Sequence, residues 1–137
     1  VGTVAYMSPE QASGDPATVD IRTDVYALGM IGFRMLTGQL PYAVTGLNLA
    51  QVLRAICDAQ PRALASFERR FAGDLDTIFA KSLAKEKDQR YRNAAEFSED
   101  LRRYLADEAI IARKASLMAE LRRFARRNRA VVVAASM

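Results

Sequence analysis

The chain has 137 residues, half of them hydrophobic and 26% charged, which is room for one domain and excludes a disordered or collagen-like chain. One cysteine, Cys57, and no histidine exclude a disulfide framework, a zinc knuckle, histidine-based metal sites and Ser-His-Asp catalysis. The net charge of +4 is uneven: residues 1–112 carry 13 Lys/Arg against 15 Asp/Glu, and residues 113–137 carry seven against one.

The first stretch, VGTVAYMSPEQASGDPATV, is rich in Gly, Pro, Ser and Thr and has no sustained period. It reads as a loop with one short helical turn starting at Pro9, because proline suits the first helical position. Residues 20–37 follow, apolar at almost every position from Val25 to Leu36. A helix apolar nearly all round is expected to be a buried central helix. Asp24, Arg34 and Tyr26 argue against a membrane span, and Gly38 with Pro41 ends the helix. Asn48 is placed to cap a helix carrying Leu49, Val52, Leu53 and Ile56 on one face, closed by Pro61. Asp74 is the expected cap of the next helix, whose face is Leu75, Ile78, Phe79 and Leu83. Asn93 and Glu96 have capping-box spacing. The helix after them, expected over 94–110, carries a stripe of Phe97, Leu101, Tyr104 and Leu105. No alternating stretch is long enough for a strand. The expectation is a mainly α domain built round the 20–37 helix.

The C-terminal arm holds Arg122, Arg123, Arg126, Arg127 and Arg129, then the apolar run AVVVAASM. A basic arm of this kind suits nucleic-acid contact or a membrane-proximal anchor. The last eight residues are too few to cross a bilayer; they match either the first turns of a membrane helix or the end of an amphipathic one. The chain begins with Val1 rather than Met, so a piece of a longer or processed protein is expected.

Three ordered motifs carry a family resemblance. GTVAYMSPE at 2–10 resembles the segment of eukaryotic-type protein kinases that ends in Ala-Pro-Glu, here Ser8-Pro9-Glu10. DVYALG at 24–29 resembles the start of the central kinase helix, and KEKDQRY at 85–91 the loop before the last helix. Ser8 in place of Ala, and Tyr26 in place of the Trp of many members, are slight departures. The resemblance covers residues 1 to about 106 and is closest to bacterial (Hanks-type) serine/threonine kinases.

The resemblance implies the helical C-lobe of the protein kinase fold, with the N-lobe and catalytic loop missing. It implies a buried ion pair between Glu10 and Arg90. Asp24 would accept backbone N–H bonds from the catalytic loop, besides serving the free N–H groups of its own helix. Gly29 would allow close approach of a neighbouring segment. Thr3 would bond the catalytic Asp and its neighbouring Lys, which favours Ser/Thr over Tyr substrates. Val4 and Met7 would line the apolar pocket for the residue after the phosphoacceptor. The implied division is 1–19 substrate-binding loop, 20–109 C-lobe core, 110–129 basic juxtamembrane segment and 130–137 start of a membrane helix.

The sequence lacks a Gly-rich phosphate loop, a strand lysine, H-R-D and D-F-G, so it holds no catalytic or metal-binding residue of its own. ATP and Mg2+ are expected for the full-length kinase and neither for this piece. The implied partners are protein substrates, the upstream N-lobe and catalytic loop, and an anionic membrane surface; nucleic acid is the weaker reading of the arginines. The implied location is the cytoplasmic domain of a single-pass membrane protein of the bacterial inner membrane, since basic flanks stay on the cytoplasmic side. The competing reading is a non-catalytic helical interaction module, a pseudokinase remnant. Intact Thr3, Glu10, Asp24 and Arg90 argue against such decay.

Overall fold

The structure, a computed structural model, describes residues 4–127. Thr3, Arg129 and the expected membrane-helix start at 130–137 lie outside the described residues. Within them the chain is helical, with no strand: α1 (Pro9–Ala12), α2 (Ile21–Thr37), α3 (Leu49–Asp58), α4 (Asp74–Ser82), α5 (Ala94–Leu105) and α6 (Ile111–Arg127), joined by loops and five single 3₁₀ turns. Among the described residues no helix is long and apolar enough to cross a membrane.

The helix starts follow from side chains that accept the first free N–H groups. Ser8 and Gln11 form a reciprocal capping box at α1, and Asn48 and Gln51 do the same at α3. At α2 the cap is Asp20, boxed with Thr23, while Asp24 lies one turn in and is exposed. At α4 the cap is Gly73, with a φ of 99°, and Asp74 is the first helical residue. At α5 Asn93 accepts the Glu96 N–H at 2.9 Å, but the Glu96 carboxylate accepts from Arg92 rather than closing the box.

The core lies between α2, α4 and α5. Val25, Tyr26, Met30 and Phe33 of α2 are buried with Ile78, Phe79 and Leu83, and with Tyr91 and Phe97. Phe79 meets Phe97 edge-to-face at 5.9 Å, and Phe33 meets Phe67 at 5.5 Å. Two glycines let α2 and α4 come together. A Cβ on Gly29 would stand 2.4 Å from Ser82 Oγ, and one on Gly32 would stand 2.8 Å from the Phe79 ring.

Two further expectations are corrected. The 20–37 helix is buried on one side only: Ile21, Leu28, Ile31 and Met35 are exposed, Met35 at 81%. These positions recur at helical spacing with Asp24, so one whole face of α2 has no neighbour among the described residues. The helix expected over 94–110 ends at Leu105, which is 83% exposed rather than part of the stripe. Asp107 then takes a left-handed φ of 57°, turning the chain so that α6 starts afresh at Ile111.

Candidate functional site

The loop 4–8 and α1 sit on α3, and the Val4–Tyr6 turn also touches α2. Ala5 and Ser8 are buried, whereas Val4 and Met7 are half-buried and linked by the Met7 N–H to the Val4 carbonyl at 3.1 Å. Arg34 of α2 donates to the Tyr6 hydroxyl at 3.2 Å. Ser8 fixes the start of α1 through its box with Gln11, and this sets Glu10 pointing inward.

Glu10 meets Arg90 across 80 residues of sequence. Arg90 Nη1 lies 2.6 Å from Glu10 Oε2, and Nη2 lies 2.7 Å from Oε1, a forked contact between two buried side chains. The rest of the guanidinium is also satisfied. Its Nε donates to the Ala84 carbonyl at 2.8 Å, Nη1 to the Arg22 carbonyl at 3.1 Å and Nη2 to the Lys85 carbonyl at 3.2 Å. Every one of the five N–H donors of an arginine therefore has an acceptor. Thr23 Oγ1 donates to Glu10 Oε2 at 2.8 Å, and the Tyr26 ring lies 5.1 Å beneath the guanidinium. Burial pushes the Glu10 carboxyl up, but the bonds from Arg90, from its own backbone and from Thr23 outweigh it and hold it below the ordinary 4.5. A buried pair of this kind needs good geometry to offset desolvation, and the fork supplies it.

Beside this pair, the Tyr26 hydroxyl donates to the Tyr42 oxygen at 3.2 Å, which also accepts from Lys85 Nζ at 2.6 Å. Lys85 donates as well to the Ile56 carbonyl near the end of α3. Burial pushes the Lys85 amine down to about 8 and the Tyr26 phenol well above its usual range. Nearer the surface, Arg22 joins Asp20 to Asp88, both at 2.8 Å, and Lys87 reaches Asp20 at 3.0 Å. These pairs are partly exposed and fasten the 87–89 turn to the start of α2 more by geometry than by energy.

The structure thus brings Glu10 and Arg90 together, and places Gly29 against Ser82 of α4. Asp24 stands on the exposed face of α2, away from both. Arg122, Arg123, Arg126 and Arg127 are exposed on α6.

A second buried carboxylate escapes sequence reading. Asp100 of α5 is wholly buried. It accepts the Ile111 N–H at 2.8 Å, the Ala112 N–H at 3.0 Å and the Tyr91 hydroxyl at 2.7 Å. It therefore caps α6 from a neighbouring helix, its charge facing the positive end of the helix dipole. Arg113 adds an exposed tie to Asp74 of α4 at 2.6 Å. The available signal is position: Asp100 falls on the apolar stripe of Phe97, Leu101 and Tyr104, where an acid is out of place unless it is bonded.

No family model matches the chain. Curated proteins do. The chain is 40% identical over 101 residues to the serine/threonine-protein kinase PknB of Mycobacterium tuberculosis, which covers 74% of this chain and 16% of that protein. PknB of Mycolicibacterium smegmatis is 38% identical over 120 residues, covering 88% of this chain and 19% of the relative. The serine/threonine-protein kinase Pkn1 of Myxococcus xanthus is 36% identical over 115 residues, covering 83% and 16%. The chain thus spans less than a fifth of the length of each of these relatives. With the helical lobe and the forked contact between Ser8-Pro9-Glu10 and Arg90, these matches place it: the chain belongs to the bacterial Hanks-type serine/threonine protein kinases, as the C-terminal half of a kinase domain.

Proposed function

We propose that this chain is the substrate platform and C-lobe core of an enzyme that transfers the ATP γ-phosphate to Ser and Thr hydroxyls of proteins. The observation that carries the reading is the Glu10–Arg90 fork. It fastens the Ser-Pro-Glu turn to the far end of the lobe, and so fixes the loop just before it, where Val4 and Met7 lie. Thr3, next in that loop, would reach the catalytic Asp. The uncovered face of α2, with Asp24 near its N-terminal end, is the seat for the upstream half of the domain.

The phosphate loop, the strand lysine and the metal-binding Asp of a kinase have no counterpart in the sequence, so ATP and Mg2+ are assigned to the upstream half of the domain. The role of this chain is to position substrate, which accelerates transfer by holding the hydroxyl in line. At its other end, the basic segment that begins at residue 110 would face the anionic cytoplasmic leaflet.

The test is a chimera joining the upstream half of the M. tuberculosis PknB kinase domain to residues 1–137. It should phosphorylate a Ser/Thr peptide, and Thr3→Ala should lower kcat about tenfold or more. Residues 1–137 alone should turn over no ATP. A chimera that folds and binds ATP yet transfers nothing would favour the non-catalytic module.

A further inference from the structure

The body-facing side of α6 is small: Ala112 is buried beside Asp100. Leu121 is nine residues on, about two and a half turns at 3.6 residues per turn, and so stands on the opposite side of the helix. Leu117, Leu121 and Phe124 follow at spacings of four and three, with Met118 beside them. All four are more than half exposed, Leu121 at 62% and Phe124 at 56%. The helix therefore carries a continuous apolar face turned away from the lobe. Arg122 borders that face on the Met118 side and Arg113 on the Leu117 side.

We propose that α6 lies flat in the interface of an anionic phospholipid layer, with Leu117, Leu121 and Phe124 below the headgroups and the flanking arginines on the lipid phosphates. This rests on the membrane-proximal reading above and deepens it, because arginines alone would hold the segment at the surface without burying anything. Charge selects the occupant. Segment 111–127 carries six Lys/Arg against Glu120, so a second copy of α6 would set arginines against arginines along both edges. An anionic surface meets the same edges with opposite charge, and an apolar face rimmed by arginine is the pattern of an interfacial helix. In the sequence an apolar run follows the arginines directly.

The chain contains no tryptophan, so one introduced residue reports alone. Residues 1–137 carrying Phe124→Trp, mixed with vesicles of phosphatidylglycerol and phosphatidylcholine, should show a blue-shifted emission that brominated acyl chains quench; Arg127→Trp should show little of either. Part of the sedimented protein should stay bound at about 1 M salt, where the Debye length is about 3 Å. The double change Leu121→Ser/Phe124→Ser should weaken that salt-resistant binding about tenfold or more, with helix content of the free protein unchanged. Binding that disappears wholly with salt, with Phe124→Trp unshifted, overturns the flat, inserted helix and leaves a basic anchor standing. No binding to these vesicles at any salt overturns both. A dimer in sedimentation equilibrium that the double change dissociates overturns the proposal in favour of a second copy on the same face.

Discussion

Glu10 and Asp100 are both buried carboxylates that fasten a segment to the lobe, yet they do it by different means. Glu10 faces a full positive charge, through a forked contact to an arginine 80 residues away. Asp100 faces neutral donors only: two backbone N–H groups at the start of α6 and one phenol. The first arrangement leaves a stranded ion when one partner is lost, which is costly in a dry site. The second leaves dipoles, which water can reach once α6 lifts away. The Ser-Pro-Glu turn is thus held by an all-or-none contact, and α6 by one that can open by itself.

The largest expected effect breaks the first arrangement. Arg90→Ala should destabilise the lobe by about 3–5 kcal/mol, because Glu10 and several carbonyls lose their donors together. Glu10→Gln should also be costly, and the double variant should cost less than the sum of the two in a urea melt. Strict additivity would mean that the two side chains do not meet in solution.

Asp100→Ala should come next, at about 2–4 kcal/mol at most, from a lost helix cap and unmatched buried donors. Its effect should be local. Amide exchange across 111–127 should rise far more than across α2 and α4, whereas Arg90→Ala should raise exchange in both.

Acid should act on the Glu10 site. The folded Glu10 carboxyl lies below its ordinary 4.5. Its contribution is therefore complete above that value and is lost as pH falls through the lower, folded one. The wild-type chain should lose stability in this range more steeply than Glu10→Gln, when both are followed by urea midpoint against pH. The smallest effect expected is Tyr91→Phe, about 1 kcal/mol, from one of the three bonds to Asp100.

Much of this fold is legible in the sequence, for a local reason. Caps such as Asn48 and faces such as Leu75, Ile78, Phe79 and Leu83 depend on residues a few positions apart, so spacing alone exposes them. Glu10 and Arg90 are a different case. Nothing in their own surroundings pairs them, and the family resemblance supplied the partner. Asp100 was illegible because it sits in the charged run SEDLRR, which looks like a solvated face until its register against Phe97 and Leu101 is noticed. Asp20 and Asp24 compete for the same free N–H groups, and only backbone geometry decides that Asp20 is the cap. The apolarity of α2 on all sides is not matched by its burial: among the described residues Ile21, Leu28, Ile31 and Met35 stay exposed.

The acceptors round Arg90 also bear on the order of assembly. Ala84 and Lys85 offer their carbonyls from six and five residues away, whereas Arg22 and Glu10 lie 68 and 80 residues away. Closing a loop of 80 residues rather than six costs about 2 kcal/mol more in chain entropy. The guanidinium therefore finds its neighbours in the 84–90 turn first, and that turn presents it, already oriented, to the rest of the chain. Glu10 arrives last and brings the Ser-Pro-Glu turn with it. The Ser-Pro-Glu turn is made 80 residues before Arg90, and so it waits for most of these helices before its carboxylate has anything to hold.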